Sequence, residues 1–475
     1  MSESPPPARG PEEDRPTRWG SLAILIISGA LATFVFVWFL ANFTGQIAHR
    51  SELRRNIRAA RAAAKAVEEA EASADPFVIF GPMIERPDAP DGARNLVLVL
   101  TTGLRQDHVS PYGAPADYTP RLQGLAGRGV RFADPISASP FTRTAAVAWL
   151  TGEHALALDM VEPGPRQNAI ALPESVVTFP ERLQAAGWIT LGVTANPNLN
   201  TETGLSQGFD RFRDTERDGL DPRHRLPGED AVAKAIELLD GRTEAEWSRP
   251  FYLQLALIET HHPYAPDPDA PSPYIGAVRR TDRLIGDLLD ALADRSYTPE
   301  TNTFVVVMSD HGMGLEQPPH HGKWNGRLLY PTSVHFPLLV AGPVVPAARV
   351  VKGLVSHTDL SPTLLDLLGL EAPTEIDGRS WADAARGRTD RTDRARAISD
   401  TWYVTANRAS IWTDTRQCQK DFGSTRLEHD SFQDGCYDRI ADPEFLSPFS
   451  DDGLMAELIA WRGSYHPGIR AGATP

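Results

Sequence analysis

The sequence predicts an α/β fold in which a mainly parallel central sheet is flanked by helices. Short aliphatic runs alternate with helical patterns along the chain, and this alternation is typical of parallel strands joined by crossover helices. The runs are continuously apolar, as expected for strands buried on both faces. The predicted strands are 95–101, 189–194, 251–258, 303–308 and 336–340. The predicted helices are 119–128, 142–150, 178–186, 230–239, 274–293 and 360–368.

Length and charge limit the classes of function. The chain has 475 residues, enough for one large domain with a smaller appendage. Its net charge of −15 argues against nucleic acid as a partner. Beyond about residue 400 the segments become shorter and more aromatic. We therefore predict an α/β domain over 95–400 and a small C-terminal subdomain over 401–475.

The N-terminal region predicts a membrane anchor. Residues 1–18 are rich in proline and charge and predict disorder. Residues 22–41 form a nearly continuous apolar run of about the 20 residues that a membrane-spanning helix needs. We interpret 19–43 as an uncleaved single transmembrane helix, so the membrane is an expected partner. An Ala-, Arg- and Glu-rich helical stalk over 44–75 and a linker over 76–94 would follow it.

The sequence gives conflicting signals about the side of the membrane on which the large domain lies. Basic residues are more numerous after the apolar run than before it, which by the positive-inside rule favours the cytoplasm. Cys418 and Cys436 are the two cysteines, and a disulfide between them would favour an exported domain. Their spacing alone leaves two unpaired buried cysteines as an equal alternative.

Polar residues follow the predicted strands at the edge where ligands bind in such sheets. Asp310 and His311 follow strand 303–308 and could supply a carboxylate and an imidazole to a metal. His261 and His262 follow strand 251–258 and could donate hydrogen bonds to an anionic ester or protonate a leaving group. Polar strand-end turns are the alternative interpretation of both pairs. Nearby loop residues add further candidates, namely His320, His321 and Lys323.

A series of short motifs occurs in one order over about residues 95–450. They are Leu104-Arg105-Gln106-Asp107-His108 with Tyr112-Gly113, Thr119-Pro120, the 178–188 segment with Asn196 and 204–210, His261-His262-Pro263-Tyr264, Asp310-His311-Gly312, 357–366, and Tyr437-Asp438 with Asp442-Pro443-Glu444. In this order they resemble the sulfatase family of the alkaline-phosphatase-like superfamily. The resemblance implies a sulfatase-like α/β fold, hydrolysis of sulfate or phosphate esters, and a divalent cation, calcium foremost. It also implies a small-molecule, glycan or lipid ester as substrate and an extracytoplasmic, periplasmic location.

The first metal motif departs from the family pattern. Where the family carries aspartates that bind the cation, this chain has Thr102 and Gly103. Hard cations need several oxygen ligands and negative charge. The resemblance leaves Asp310 and His311 as metal ligands, with the Thr102 hydroxyl as a weak third. We therefore expect a cation to bind weakly or not at all.

The nucleophile motif departs as well. The family's Cys/Ser-x-Pro-x-Arg, in which the first residue becomes formylglycine, falls on 142–146, and here that stretch begins Thr142-Arg143. No formylglycine is expected. Thr142 could attack directly, as in related phosphoethanolamine transferases, or it could merely cap a helix.

Three functions follow from these motifs. An active sulfate- or phosphate-ester hydrolase would use Thr142, His261, and Lys323 or His321 as catalytic residues. Arg143 and His262 would bind its substrate. A catalytically impaired relative would keep the fold for binding, scaffolding or regulation. A phosphoryl-group transferase would use Thr142 as its nucleophile.

Overall fold

The structure is a computed structural model. It describes residues 78–81, 86–158, 160, 171–215, 225–265, 267–316, 323–403, 406–424 and 431–465. The chain divides into two units, 1–76 and 77–475, and the described residues lie in the second. The predicted disordered N-terminus, transmembrane helix and stalk lie outside the described residues. Within the described ranges, no helix combines the length and the apolar character that crossing a bilayer requires.

A nine-stranded sheet forms the centre of the domain. Its strands are β1 (Val78–Phe80), β2 (Asn95–Thr101), β3 (Val130–Ile136), β4 (Ile189–Thr194), β5 (Arg211–Arg213), β6 (Phe251–Leu257), β7 (Thr303–Ser309), β10 (Leu338–Ala341) and β11 (Arg349–Ser356). Two short strands, β8 (Gly314–Leu315) and β9 (Lys323–Trp324), pair outside this sheet. The order across the large sheet is β1-β5-β4-β6-β2-β7-β10-β3-β11. Strands β5, β4, β6, β2 and β7 run parallel, which confirms the predicted mainly parallel sheet.

Helices lie along both faces of this sheet. In chain order they are α1 (Pro120–Gly127), α2 (Thr142–Thr151), α3 (Phe179–Ala185), α4 (Gly228–Asp240), α5 (Glu244–Trp247), α6 (Pro273–Asp294), α7 (Pro331–Val334), α8 (Leu360–Leu367), α9 (Ala382–Ala385) and α10 (Asp452–Tyr465). The six predicted helices are all present, with bounds that differ by at most two residues. The start of α3 is well defined because the Thr178 and Glu181 side chains form a capping box there.

Two predictions about the sheet need correction. Strands β3 and β11 were not anticipated, because charged residues such as Arg131 and Lys352 interrupt their apolar runs. The predicted strand 336–340 is β10, but it runs antiparallel to both β7 and β3. A short apolar run specifies burial but carries no information about strand direction. The sequence therefore could not distinguish a parallel from an antiparallel strand.

The core has one apolar layer on each face of the sheet. Along β2, Leu96, Leu98 and Leu100 pack into one layer, and Val97 and Val99 into the other. Because successive side chains of a strand point to opposite faces, a strand covered on both sides must be apolar throughout. Each such buried aliphatic side chain stabilises the fold by roughly 1.5–3 kcal/mol.

A second, antiparallel sheet follows the large one. It consists of β12 (Ala397–Thr401), β13 (Arg408–Trp412), β14 (Arg416–Asp421) and β15 (Gly435–Asp438) in that order. Cys418 and Cys436 lie opposite each other on β14 and β15 and form a disulfide, which settles the alternative that spacing had left open. Leu454 and Leu458 of α10 pack against the same cysteines.

Candidate active site

The carboxyl ends of the central strands meet the first turn of α2. Thr102 follows β2, Asn196 lies two residues beyond β4, and Asp310 follows β7. Because neighbouring parallel strands end at the same edge of a sheet, these residues come together although they are far apart in sequence. Thr142 is the first residue of α2 and faces them.

Asp310 lies at the centre of this group. Its Oδ1 accepts hydrogen bonds from the backbone amides of Gly103 (3.0 Å) and His311 (2.8 Å). Its Oδ2 accepts one from the Thr142 hydroxyl at 2.7 Å. Burial raises the pKa of the Asp310 carboxyl, against the opposing effects of His311 and these hydrogen bonds. A buried carboxylate is costly, and its hydrogen bonds and the His311 imidazole, whose Nε2 lies 3.4 Å from Oδ2, offset part of that cost.

His311 carries a proton on Nδ1. That nitrogen lies 2.6 Å from the Gly312 carbonyl oxygen, which can only accept. Nε2 lies 3.1 Å from Asn325 Nδ2, 3.4 Å from Thr142 Oγ1 and 3.4 Å from Asp310 Oδ2. The imidazole and the threonine hydroxyl thus lie side by side, as in a nucleophile with a neighbouring base.

Asn196 connects the ends of β2 and β4 to α2. Its Nδ2 lies 2.9 Å from Thr102 Oγ1 and 3.5 Å from Thr142 Oγ1. Its Oδ1 accepts a hydrogen bond from the Asn198 amide. We call Thr102, Thr142, Asn196, Asp310, His311 and Asn325 the strand-end network. Thr142 is 1% exposed, and Asp310 and His311 are 0% exposed.

The alternative that Thr142 caps a helix is wrong. The N-cap residue of α2 is Phe141, and no side chain caps this helix. The Thr142 hydroxyl instead turns towards Asp310 and His311. The threonine hydroxyl therefore lies beside a carboxylate and an imidazole, at a helix N-terminus that favours negative charge.

The residues present do not fit a hard divalent cation. Calcium takes six to eight oxygen ligands with substantial negative charge. In the part of the chain that the structure describes, no three His, Cys, Asp or Glu side chains are placed to share an ion. Asp310 is the one carboxylate of the strand-end network, and both of its oxygens already accept hydrogen bonds. Metal binding by Asp310, His311 and Thr102 therefore stays a prediction that the local donor chemistry opposes.

The loop after β6 carries the two candidate histidines. The Arg225 guanidinium fixes this loop by donating to the carbonyl oxygens of His261 (2.7 Å) and Pro263 (3.2 Å). Burial lowers the pKa of His261 to about 4, against the opposing hydrogen bonds with the His262 carbonyl and the Asn325 side chain. His261 is therefore neutral at pH 7 and cannot supply a proton as an imidazolium. His262 is exposed, and its ring contacts Tyr264 edge-on.

The remaining candidates are placed less directly. Arg143 follows Thr142 in α2 and is buried, and burial lowers the pKa of its guanidinium. Lys323 begins β9, and only its backbone is described. His321 lies outside the described residues. The catalytic roles of Lys323 and His321 and the substrate-binding roles of Arg143 and His262 stay predictions.

Several residues of the site were not among the sequence-based candidates. Asn196 could have been found, because it follows β4 at the edge of the sheet where a ligand site is expected. Thr260 could have been found in the same way, because it follows β6, whereas Asn325 carries no comparable signal. Thr260 donates to the Thr102 carbonyl oxygen at 2.8 Å. The Tyr274 hydroxyl of α6 donates to the Gly103 carbonyl oxygen and accepts from the Arg105 amide, both at 2.8 Å.

The fold and this site define an α/β protein with an enzyme-like strand-end centre. The sequence profile of the sulfatase family matches residues 94–370, more than half of the chain. The C-terminal profile of N-sulphoglucosamine sulphohydrolase matches residues 319–461. The chain therefore belongs to the sulfatase family, as its motifs indicated.

Characterised relatives are similar over much of this region. N-acetylgalactosamine-6-sulfatase of dog is 28% identical over 62% of this chain, and the human protein is 28% identical over 60%. The aligned region spans 66% and 64% of these two relatives' lengths. Human arylsulfatase D is 24% identical over 70% of this chain and 76% of its own length.

Solved structures agree on the fold. A protein crystallised with its substrate D-glucosamine-2-N,6-O-disulfate superposes with a TM-score of 0.64. It is 18% identical, and the match covers 79% of this chain and 99% of that one. A protein bound to a neocarrahexaose gives a TM-score of 0.61 at 19% identity, covering 78% and 93%. At these identities the likeness establishes the sulfatase-like fold and nothing about substrate.

Proposed function

We propose that this chain is a sulfatase-family protein with impaired ester hydrolysis, which keeps the fold for binding or regulation. The observation that carries the proposal is the strand-end network itself. At the place where sulfate-ester cleavage needs charge to neutralise the ester oxygens, one buried carboxylate is surrounded by backbone amides, a threonine hydroxyl and the His311 imidazole. Cation-assisted cleavage depends on that charge.

Two further observations support impaired turnover. Thr142 stands where the family has the residue that becomes formylglycine, and a threonine side chain cannot be oxidised to that aldehyde. His261 is neutral near pH 7 because burial lowers its pKa to about 4, so it is a poor acid for a leaving alcohol. Both changes act on the same step, the breaking of the ester bond.

The ligand class that we propose is a sulfated amino sugar or a related sugar ester. The support is similarity alone: the relatives quoted above are named for N-acetylgalactosamine 6-sulfate, and one structural neighbour holds a sulfated glucosamine. Isothermal titration of the purified protein with N-acetylgalactosamine 6-sulfate, and with the unsulfated sugar as control, measures this directly. Equal affinity for both sugars would argue against recognition of the sulfate.

Turnover is tested with the same protein. An aryl sulfate, an aryl phosphate monoester and a bis-aryl phosphate are offered with calcium, with magnesium and with chelator. We expect rates for the wild type equal to those of Thr142→Val, under every condition. Turnover that the Thr142→Val substitution abolishes would contradict the proposal.

A second candidate, a transferase or hydrolase with Thr142 as nucleophile, is favoured by one distance. Thr142 Oγ1 lies 2.7 Å from Asp310 Oδ2, so the carboxylate could take the hydroxyl proton. Oγ1 would then bond to the sulfur or phosphorus atom, the bond from that atom to the leaving oxygen would break, and water would protonate the alkoxide. Mass spectrometry of the protein after incubation with each ester detects the covalent product on Thr142.

We also propose that the chain is anchored by a single N-terminal membrane helix, with its large domain in the periplasm. The apolar run of 22–41 supports the anchor, and the Cys418–Cys436 disulfide supports an oxidising compartment. Protease added to intact spheroplasts should degrade the large domain. Protection from protease until the membrane is lysed would place the domain in the cytoplasm instead.

A further inference from the structure

Gly103 is where the chain lacks a second carboxylate, and a side chain there would displace the end of the Met313 side chain. The residue has a φ of +76°. A Cβ added there would lie 2.6 Å from the Met313 Cε methyl and 3.3 Å from the Thr260 carbonyl oxygen. Asp and Asn tolerate such a φ better than most residues, so the main obstacle to a side chain at 103 is the Met313 methyl.

Met313 belongs to the apolar core. It is fully buried and packs in the layer that contains Leu104 and Val307. The apolar layer thus extends up to the position that a carboxylate at 103 would occupy. An ionised group placed against this methyl would lose its water without gaining a partner, which is strongly unfavourable.

The neighbouring hydroxyl is also already engaged. Thr102 Oγ1 accepts from Asn196 Nδ2 at 2.9 Å, and the Asn196 carbonyl oxygen accepts from the Asn198 amide. Through Asn196, Thr142 and Asp310, hydrogen bonds join the ends of β4, β2 and β7 to α2. A cation held by Asp310, His311 and Thr102 would also join the ends of β2 and β7.

We propose that the strand-end network, together with Met313, takes the structural place of a divalent cation and fixes the chain in a cation-free form. The inference goes beyond impaired hydrolysis, because it assigns a role to Met313 and states what holds the strand ends together. Acidic residues at 102 and 103 should therefore restore a cation site, and this site should be stronger when Met313 is shortened than when it is kept.

The test compares three variants by isothermal titration with calcium chloride alone. The first is Thr102→Asp/Gly103→Asp, and the second adds Met313→Ala. The third adds Met308→Ala instead, which removes an equally buried methionine from β7 on the other face of the sheet. This matched control creates a similar cavity but no space at residue 103.

We expect the wild type to show only heats of dilution and a Tm unchanged by calcium or chelator. The Met313→Ala triple variant should bind calcium at least tenfold more tightly than the double variant and the Met308→Ala control. Adding Asp310→Asn should abolish that gain. Stoichiometric calcium binding by the wild type that Asp310→Asn removes would overturn the inference, and so would equal affinities of the two triple variants.

If the acidic variants fail to fold by circular dichroism, the wild-type titration still decides whether a cation is part of the native protein. The outcome is also separable from that of the proposed function. Ester turnover without any cation would contradict impaired hydrolysis and leave the present inference intact. Cation binding without turnover would contradict the present inference and leave impaired hydrolysis intact.

Discussion

The strand-end network and the C-terminal sheet bury polar groups in two different ways. The network surrounds one carboxylate with backbone amides, a threonine hydroxyl and the His311 imidazole, and no arginine or lysine belongs to it. The C-terminal region buries whole ion pairs, since Arg462 of α10 is 1% exposed, lies 3.4 Å from Asp400 and stacks over Trp402. Neutral groups can be exchanged singly at modest cost, whereas removing one member of a buried pair leaves a charge alone. The chain is therefore expected to tolerate change better at its candidate active site than at its C-terminal end.

The largest effect that we predict tests the ion pair. Arg462→Ala leaves the Asp400 carboxylate buried without its guanidinium and should lower the free energy of unfolding by about 3–5 kcal/mol. Urea unfolding followed by circular dichroism measures this. Arg388→Ala, which removes an exposed partner of Asp383, is the matched control and should leave stability unchanged. Equal losses in the two variants would remove the contrast between the regions.

Opening the disulfide should give the next largest effect. Cys418→Ala/Cys436→Ala releases a covalent link between β14 and β15 across a separation of 18 residues. For a loop of this size the expected loss is about 3 kcal/mol. The same unfolding measurement with and without reductant on the wild type gives an independent value. A variant as stable as the wild type would show that the sheet and α10 suffice to hold this region.

A third prediction concerns the pH dependence of stability near the strand-end network. His357 lies between Trp149 and Phe336 and contacts Ser309 and Ser137 of the strand ends. Burial lowers its pKa to about 3 from an ordinary value near 6.5. The unfolded chain therefore takes up a proton between pH 6.5 and 3 that the folded chain refuses. The stability contribution is complete above pH 6.5 and is lost as the pH falls towards 3.

Between pH 7 and pH 5 this histidine should account for a loss of about 2 kcal/mol. The His357→Asn variant should lose less stability over the same interval, which urea unfolding at the two pH values measures. An unchanged pH dependence would mean that the buried histidine does not control acid stability.

The smallest predicted effect lies at the centre of the site. Thr142→Val keeps the shape of the side chain but removes the donor to the Asp310 carboxylate, at a cost of about 1.5 kcal/mol, the lower end of the range for hydrogen bonds to charged groups. Thr142→Ser keeps the hydroxyl and should retain that hydrogen bond. Thermal unfolding of the two variants side by side separates the hydrogen bond from the packing. A loss as large as that of Arg462→Ala would show that the network resists change as strongly as the ion pair does.

Much of the fold could be predicted because the relevant signals are local. The bounds of β2 and β4 follow from continuous apolar runs, and those of α6 from its helical pattern. The strands that the sequence did not predict, β3 and β11, contain charged residues whose side chains are not fully buried. Their strand character comes from pairing with each other, which a single segment does not reveal.

The candidate site was predictable only in part. Thr142, Asp310 and His311 could be named because each falls on a motif at the end of a strand or the start of a helix. Asn325 and Met313 lie in connecting segments, and their roles depend on which distant residues they meet. The sequence also could not show that Thr142 turns away from capping α2, because that choice depends on the nearby Asp310 carboxylate.

The Tyr274 hydroxyl has a consequence for how the site can move. It bonds to the Gly103 carbonyl and the Arg105 amide, and so attaches the segment after β2 to the 22-residue helix α6. This segment can open only if both hydrogen bonds of the buried hydroxyl break. Its motions are therefore coupled to those of the helix. Hydrogen–deuterium exchange of the Arg105 amide should then be as slow as that of core strand amides. The site would behave as a rigid part of the core rather than as a mobile loop.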